Sequence, residues 1–119
     1  AIHSAVNTKG VRASPAPRVV GLSSGRARKF AAFWGAYCST KAAFEALLQV
    51  YAAENEGGTL RVNIVDPGPI RTGMRAKAMP GEDPMTLNTP EDLAPLILEL
   101  ASAEEERHGA VVSFREWLG

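Results

Sequence analysis

Apolar residues along the chain alternate between short continuous runs and longer helical patterns. Short apolar runs at 18–22, 60–65 and 110–114 predict three strands, the first of them buried on both faces. Between these runs, residues 35–56 and 89–102 repeat apolar side chains at helical spacing, which predicts two helices. The order strand, helix, strand, helix, strand predicts an α/β fold with a parallel sheet and right-handed crossovers.

The first predicted helix is apolar over an unusually wide arc. One face repeats apolar side chains at i, i+3, i+4 and i+7, and a second apolar strip lies beside it. The first face comprises Phe44, Leu47, Leu48 and Tyr51, and the second comprises Ala43, Ala46 and Val50. An arc this wide predicts that the helix packs on a sheet and also on another helix.

Four features in the second half of the chain predict local structure. Residues 70–88 contain Pro, Gly and Met without periodicity, which predicts a long loop of the kind that forms a lid or stays disordered. Thr89 is followed by Pro and two acids, a pattern typical of a helix start. Pro95 removes one backbone hydrogen bond, so we expect a bend inside this helix. Residues 104–107 are predicted to be a solvated helix end.

Composition and charge narrow the class of protein. The chain has 119 residues, enough for one domain, and its 45% hydrophobic content is ordinary for a globular protein. Thirteen basic residues balance thirteen acidic ones, so we expect no binding to nucleic acid or to a membrane surface. No apolar run approaches the ~18 residues of a membrane span. Cys38 is the single cysteine, which favours a reducing compartment, and we expect a cytoplasmic protein.

The candidate chemistry comes from three separate segments. Tyr37 and Lys41 lie four residues apart on the first helix, so their side chains share a face, and a nearby cation favours the ionised form of a phenol. Taken alone, this pair favours a structural interpretation, a packed tyrosine and a solvated lysine. However, Ser24 follows the first strand and 67–72 follows the second, and ligand sites form outside the carboxyl ends of parallel strands. Convergence at one edge of the sheet favours a functional site.

Two neighbouring groups of residues leave alternatives open. The basic residues Arg26, Arg28 and Lys29 form either a solvated loop or a contact to a cofactor phosphate or an acidic substrate. Phe33 and Trp34 either wall a substrate pocket or pack in the core.

The histidines and the cysteine carry no metal-ligand spacing. His3 and His108 are predicted to be surface residues, and Cys38 is predicted to be a packed thiol. We therefore expect no metal site.

As a set, the motifs resemble the short-chain dehydrogenase/reductase family over residues 18–115. The resemblance rests on Ser24, then Tyr37-x-x-x-Lys41, then Pro67-Gly-x-x-x-Thr72. It implies a partial Rossmann-like, doubly wound parallel sheet. It also implies an NAD(P)-dependent oxidoreductase that interconverts a hydroxyl and a carbonyl group on a small molecule.

The resemblance also implies roles for individual residues. Tyr37 would protonate or deprotonate the substrate oxygen, Lys41 would promote ionisation of Tyr37, and Ser24 would position the substrate. The cofactor, NAD or NADP, would be bound by Tyr37, Lys41, Pro67, Gly68, Ile70 and Thr72. The part of the long loop at 73–88 would be the substrate lid.

The chain departs from the family pattern in one large respect. It contains no glycine-rich phosphate loop and no residue that selects between NAD and NADP. We therefore interpret 18–119 as the C-terminal catalytic half of the family domain and 1–17 as a linker or the remnant of a preceding helix. The chain would then be a fragment whose full-length parent forms a homo-oligomer through helix 35–56. The alternative hypothesis is a non-catalytic remnant that acts only through protein association.

Overall fold

The computed structural model describes residues 16–119, so most of the predicted linker lies outside the described residues. The described part contains three strands and four helices, joined by turns and three short 3-10 segments. The strands are β1 (Arg18–Leu22), β2 (Arg61–Asp66) and β3 (Val111–Ser113); the helices are α1 (Gly35–Glu54), α2 (Gly73–Ala78), α3 (Ala94–Ala101) and α4 (Phe114–Leu118); the 3-10 segments are Gly25–Ala27, Pro84–Thr86 and Pro90–Leu93.

The three strands form one parallel sheet in the order β1-β2-β3. Arg18 pairs with Arg61 at one end of the β1–β2 ladder, and Leu22 pairs with Val65 at the other. β3 pairs with the second half of β2. The predicted α/β fold with a parallel sheet is confirmed, and β1 is an edge strand of the described sheet.

Helices cover both faces of the sheet because the side chains of β2 alternate between them. Val62 and Ile64 pack with α1 in a first core cluster, and Val65 packs with α3 and α4 in a second cluster. The first cluster contains Leu48, Tyr51, Ala52, Leu60, Val62 and Ile64, and the second contains Val65, Leu93, Leu96, Leu100 and Phe114. None of the described helices is long and apolar enough to cross a membrane.

The wide apolar arc of α1 is only partly buried. Leu48 and Tyr51 are in the core, whereas Leu47 and Val50 are 44% and 56% exposed. Leu47 lies roughly 100° around the helix from Leu48, so it belongs to the part of the apolar arc that the sheet does not cover. A partner subunit on this exposed strip remains a prediction.

The segment before α3 differs from the predicted continuous helix. A 3-10 segment, Pro90–Leu93, precedes α3, and Asp92 Oδ2 accepts a hydrogen bond from the Thr89 N–H at 2.7 Å. Pro95 is the second residue of α3 rather than an interior residue. Its missing N–H therefore falls in the first turn, where an α-helix has no partner for it, and the expected interior bend is wrong.

The segment 70–88, which we name the lid segment, is more ordered than the predicted loop. Its base is closed by a parallel bridge between Ile70 and Asn88. Within it, Thr72 Oγ1 caps α2 by accepting from the Arg75 N–H at 3.1 Å. Arg75 also forms two hydrogen bonds of 2.8 Å with the Glu82 carboxylate. Local caps and an ion pair thus order this segment, although its sequence has no periodic apolar pattern.

Two further predictions fail near the start of β3. Residues 104–107 are not a solvated helix end, because α3 ends at Ala101 and the Glu105 side chain is only 7% exposed where Arg107 binds it. His108 is not a surface residue: its side chain is 9% exposed. Glu105 is covered by a local ion pair with Arg107, whereas His108 is covered by Ala52 and Val62, which are distant in the chain.

The His108 ring joins α1 to the start of β2. Its Nε2 lies 2.7 Å from the Ala52 carbonyl oxygen and donates to it, while Nδ1 accepts from the Val62 N–H at 3.2 Å. His3 lies outside the described residues.

Candidate active site

The carboxyl ends of β1 and β2 are hydrogen-bonded neighbours. One residue beyond β1, the Ser23 N–H donates to the Val65 carbonyl at 2.8 Å, which continues the parallel ladder. Ser24 and the turn Asp66–Gly68 therefore leave the sheet at adjacent points of one edge. This is the edge at which parallel sheets form ligand sites.

Tyr37 and Lys41 lie in the first two turns of α1. The helix starts after the connection from β1, which places these turns toward the carboxyl edge of the sheet. The Lys41 Nζ is 5.9 Å from the centroid of the Tyr37 ring and 5.6 Å from that of Phe44. Lys41 has no carboxylate within ion-pair distance among residues 16–119.

A chain of contacts connects Ser24 with Tyr37. Ser24 Oγ accepts from the Arg26 N–H at 3.2 Å and so caps the first 3-10 segment. The Arg26 guanidinium lies 5.2 Å above the Trp34 ring, and Trp34 meets Tyr37 edge to face at 5.6 Å. Ser24 and Tyr37 make no direct hydrogen bond in the described structure; Arg26 and Trp34 link them only indirectly, and their convergence on one site remains a prediction.

Phe33 is the strained residue of this connection. Its backbone φ is +70°, the one positive value among non-glycine residues in the part of the chain that the structure describes, and its side chain is fully exposed. A bulky residue in this conformation costs free energy, and such strain is concentrated at functional sites. The core interpretation of Phe33 is wrong, whereas Trp34 is partly buried against Tyr37.

The predicted cofactor-binding residues after β2 occupy different environments. Gly68 is exposed with φ +67°, and its N–H donates to Asp66 Oδ1 at 3.1 Å, which forms a tight turn beside Pro67. Ile70 is partly buried against the second core cluster. Thr72 is exposed, and its hydroxyl oxygen caps α2.

Sequence reasoning missed a cluster of polar side chains beneath these groups, formed by Ser23, Arg28, Glu45 and Asp66. Arg28 binds Glu45 and also Asp66, the latter at 2.6 Å, and Ser23 Oγ donates to Glu45. Arg28 is exposed, as the solvated-loop alternative predicts, and it also forms ion pairs that the sequence did not predict, whereas the phosphate contact remains a prediction. The one available signal was the position of Glu45. It comes four residues after Lys41, which places it on nearly the same face of the helix.

The electrostatic environment favours the charged form of Arg28. The hydrogen bond to Glu45 is the largest cause that raises the pKa of Arg28, with the negative charges of Glu45 and Asp66 adding to it. Among residues 16–119, no group of three His, Cys, Asp or Glu side chains is arranged to hold a metal ion.

Comparisons with known proteins agree with these motifs. A family model described as Enoyl-(Acyl carrier protein) reductase matches residues 3–112. The uncharacterized oxidoreductase YciK of Escherichia coli K12 is 46% identical over 94 residues, which cover 79% of this chain and 37% of YciK. A short-chain type dehydrogenase/reductase of Picea abies is 34% identical over 101 residues, which cover 75% of this chain and 36% of that protein.

Solved structures show the same fold. A short chain dehydrogenase of Shigella flexneri 2a, complexed with NADP, superimposes with a TM-score of 0.85 at 39% identity, covering 94% of this chain and 46% of that one. The structure of YciK from Escherichia coli gives the same four values. The chain thus spans less than half of these relatives. The match of the family model over most of the chain, together with these relatives, shows that the chain belongs to the short-chain dehydrogenase/reductase family.

Proposed function

We propose that the protein is an NAD(P)-dependent oxidoreductase that interconverts a hydroxyl and a carbonyl group on a small molecule. One observation carries the proposal: Lys41 lies beside the Tyr37 ring near the edge at which Ser24 and the Pro67–Gly68 turn leave adjacent strands. The solved relatives complexed with NADP and NADPH support the choice of cofactor.

Each polar group has a separate task in this proposal. The Tyr37 hydroxyl donates its proton to the carbonyl oxygen during reduction and takes a proton from the hydroxyl during oxidation. The Lys41 ammonium stabilises the negative charge that develops on the Tyr37 oxygen. Ser24 donates to the substrate oxygen, because its own oxygen already accepts from the Arg26 N–H and its hydroxyl hydrogen is left to donate.

The residues present fit the nicotinamide end of the cofactor. The Lys41 ammonium contacts two rings and no carboxylate in the described part of the chain, so its donors are available to ribose hydroxyls. The exposed turn at Gly68 lets the backbone approach a planar ring closely, with Pro67, Ile70 and Thr72 beside it. When bound, the nicotinamide supplies a hydride to the substrate carbon or accepts one from it.

The test is Tyr37→Phe in the complete gene product. We expect at least about a hundredfold lower turnover of NADPH with a panel of aldehydes, ketones and quinones, because general acid catalysis is lost. NADPH binding, measured by isothermal titration, should change little. Tyr51→Phe is the matched control, since the chain has one other tyrosine and it is buried in the first core cluster.

Turnover by Tyr37→Phe within about threefold of the wild-type rate would remove Tyr37 from the chemistry and overturn the proposal. Absence of both NADPH binding and turnover in the wild-type protein would instead favour the non-catalytic alternative. The exposed Leu47 and Val50 of α1 would then offer the surface for association.

A further inference from the structure

The proposed function leaves unused the polar cluster of Ser23, Arg28, Glu45 and Asp66. We propose that Arg28 is a positioning residue: by binding Glu45 and Asp66 together, it holds the three segments of the site in one arrangement. This inference rests on the proposed function, because it names the group that orders the same site.

The guanidinium of Arg28 spans two elements through different nitrogens. Its Nη1 donates to Glu45 Oε2 on α1, and its Nη2 donates to Asp66 Oδ2 at the end of β2, at 2.6 Å. Arg28 itself follows the 3-10 segment that Ser24 caps. One planar fork therefore joins the connection after β1, the helix α1 and the end of β2.

The two carboxylates of the cluster are more buried than the arginine that joins them. The side chain of Glu45 is 11% exposed and that of Asp66 is 19% exposed, whereas that of Arg28 is 40% exposed. A carboxylate as buried as that of Glu45 is costly unless donors satisfy it, and here Ser23 and Arg28 both donate to it. The two donors that satisfy this carboxylate are therefore in place only while the segments that carry them stay against α1.

Two residues of the polar cluster, Ser23 and Glu45, lie close to proposed catalytic residues. Ser23 immediately precedes Ser24, so its hydrogen bond to Glu45 fixes the backbone from which Ser24 projects. Glu45 lies one helical turn after Lys41. The Ser23–Glu45 contact thus fixes the distance between the serine segment and the helix that carries the lysine.

A third residue of the polar cluster, Asp66, orders the turn proposed to bind nicotinamide. Asp66 uses Oδ2 for Arg28 and Oδ1 for the Gly68 N–H at 3.1 Å. Gly25 also lies close, since a Cβ at this residue would be 3.5 Å from Asp66 Oδ2. The Arg28 ion pair therefore holds Asp66 in the orientation that shapes the Pro67–Gly68 turn.

A second arginine provides a matched control at the opposite edge of the sheet. Arg107 also binds two carboxylates, those of Glu99 and Glu105, but it lies before β3, beside the start of β2 where Asn63 Nδ2 donates to its carbonyl. Both arginines can stabilise the fold, and only Arg28 touches segments of the proposed site.

The experiment compares Arg28→Lys with Arg107→Lys in the complete gene product. Lysine keeps the charge, so the buried carboxylates retain a cation, but a single ammonium cannot reproduce the planar fork. We expect Arg28→Lys to lower kcat by about tenfold or more with NADPH and a carbonyl acceptor, because small misplacements of reacting groups are costly. Arg107→Lys should leave kcat within about twofold of wild type, even where its melting temperature falls equally.

Amide hydrogen exchange gives a readout that does not depend on activity. Arg28→Lys should speed exchange at 24–28 and at Gly68, and Arg107→Lys should not. Asp66→Asn is the milder second variant, because the amide oxygen can still accept from the Gly68 N–H. It should show the same pattern with a smaller change.

Two results overturn the inference. One is an unchanged kcat and unchanged exchange at 24–28 and Gly68 in Arg28→Lys, and the other is an equal effect of Arg107→Lys on both. If the wild-type protein turns over no carbonyl at all, the proposed function fails, and the exchange data alone then decide whether Arg28 orders these segments.

Discussion

At the scale of single residues, the site depends on spacings that the helix turns into contacts. Tyr37 and Lys41 are four residues apart, and the helical pitch places the ammonium beside the ring without help from the rest of the fold. Gly21 shows the opposite case. It lies in β1 against α1, and its environment depends on side chains more than twenty residues away in the chain.

Gly21→Ala should destabilise the fold. An added Cβ would overlap Leu48 Cδ1 and lie 3.2 Å from Phe44 Cζ, and both side chains belong to or pack on the first core cluster. We expect the free energy of unfolding to fall by about 1–3 kcal/mol in urea denaturation, the usual cost of overpacking. Gly58→Ala is the control, because its added methyl would meet only the Asn55 carbonyl oxygen at 3.7 Å. Equal midpoints for the two variants would contradict this account of the β1–α1 contact.

At the scale of elements, the lid segment is held together by its own contacts. Arg71 donates to the carbonyl oxygen of Pro84 at 2.9 Å, and Arg75 binds Glu82. The hydrogen bond from Arg75 is the largest cause that lowers the pKa of Glu82. Only Ile70, at the base, packs against a core cluster. Apart from this contact, the lid segment is therefore held largely by its own hydrogen bonds and ion pair.

Arg75→Gln should loosen α2 and leave global stability unchanged. Loss of the paired hydrogen bonds to Glu82 should speed amide exchange across Gly73–Ala78, while the melting temperature of the protein stays near the wild-type value. Lys77→Gln on the same helix is the control, because Lys77 makes no ion pair among residues 16–119. A fall in melting temperature specific to Arg75→Gln would show instead that the lid segment is part of the cooperative core.

At the scale of the whole molecule, the residues at the two ends of the parallel strands differ in role. The carboxyl edge carries the candidate site. The opposite edge is closed by arginines, since Arg18 donates to the carbonyl oxygens of Thr59, Ser102 and Ala103. Arg107 binds Glu105 beside them at 2.6 Å. Charged groups at this edge thus stabilise the fold without approaching the site.

Stability should depend on pH through Glu105. The hydrogen bond from Arg107 is the main cause that lowers the pKa of Glu105 from its usual 4.5 to about 2. Its ionised form therefore contributes fully above pH 4.5, and the contribution is lost as the pH falls from 4.5 through about 2. Urea denaturation across this range should show a smaller acid-induced loss for Glu105→Gln than for Glu104→Gln, an exposed neighbour. Parallel pH profiles for the two variants would assign the acid sensitivity to other groups.

The sequence predicted the elements well where patterns are local. The bounds of β1 and the start of α1 agree with the prediction, because apolar runs and helical periodicity report burial directly. The predictions of a long loop at 70–88 and of a bend at Pro95 differ from the structure. The capping bonds and the 3-10 segment Pro90–Leu93 that form there leave no periodic signal in the sequence. The roles of Ser24, Tyr37 and Lys41 came from the motif set, and they remain predictions until activity is measured.

The sequence by itself determined the order of strands and helices, the parallel sheet, and the pairing of Tyr37 with Lys41, since each follows from spacing along a few turns or one crossover. Only the tertiary structure decided which charges meet. Arg28 lies 17 residues from Glu45 and 38 from Asp66, and these three side chains converge only after β1 and β2 pair in a fixed register. Spacing along the chain carries no information about such contacts, because they depend on how whole elements pack.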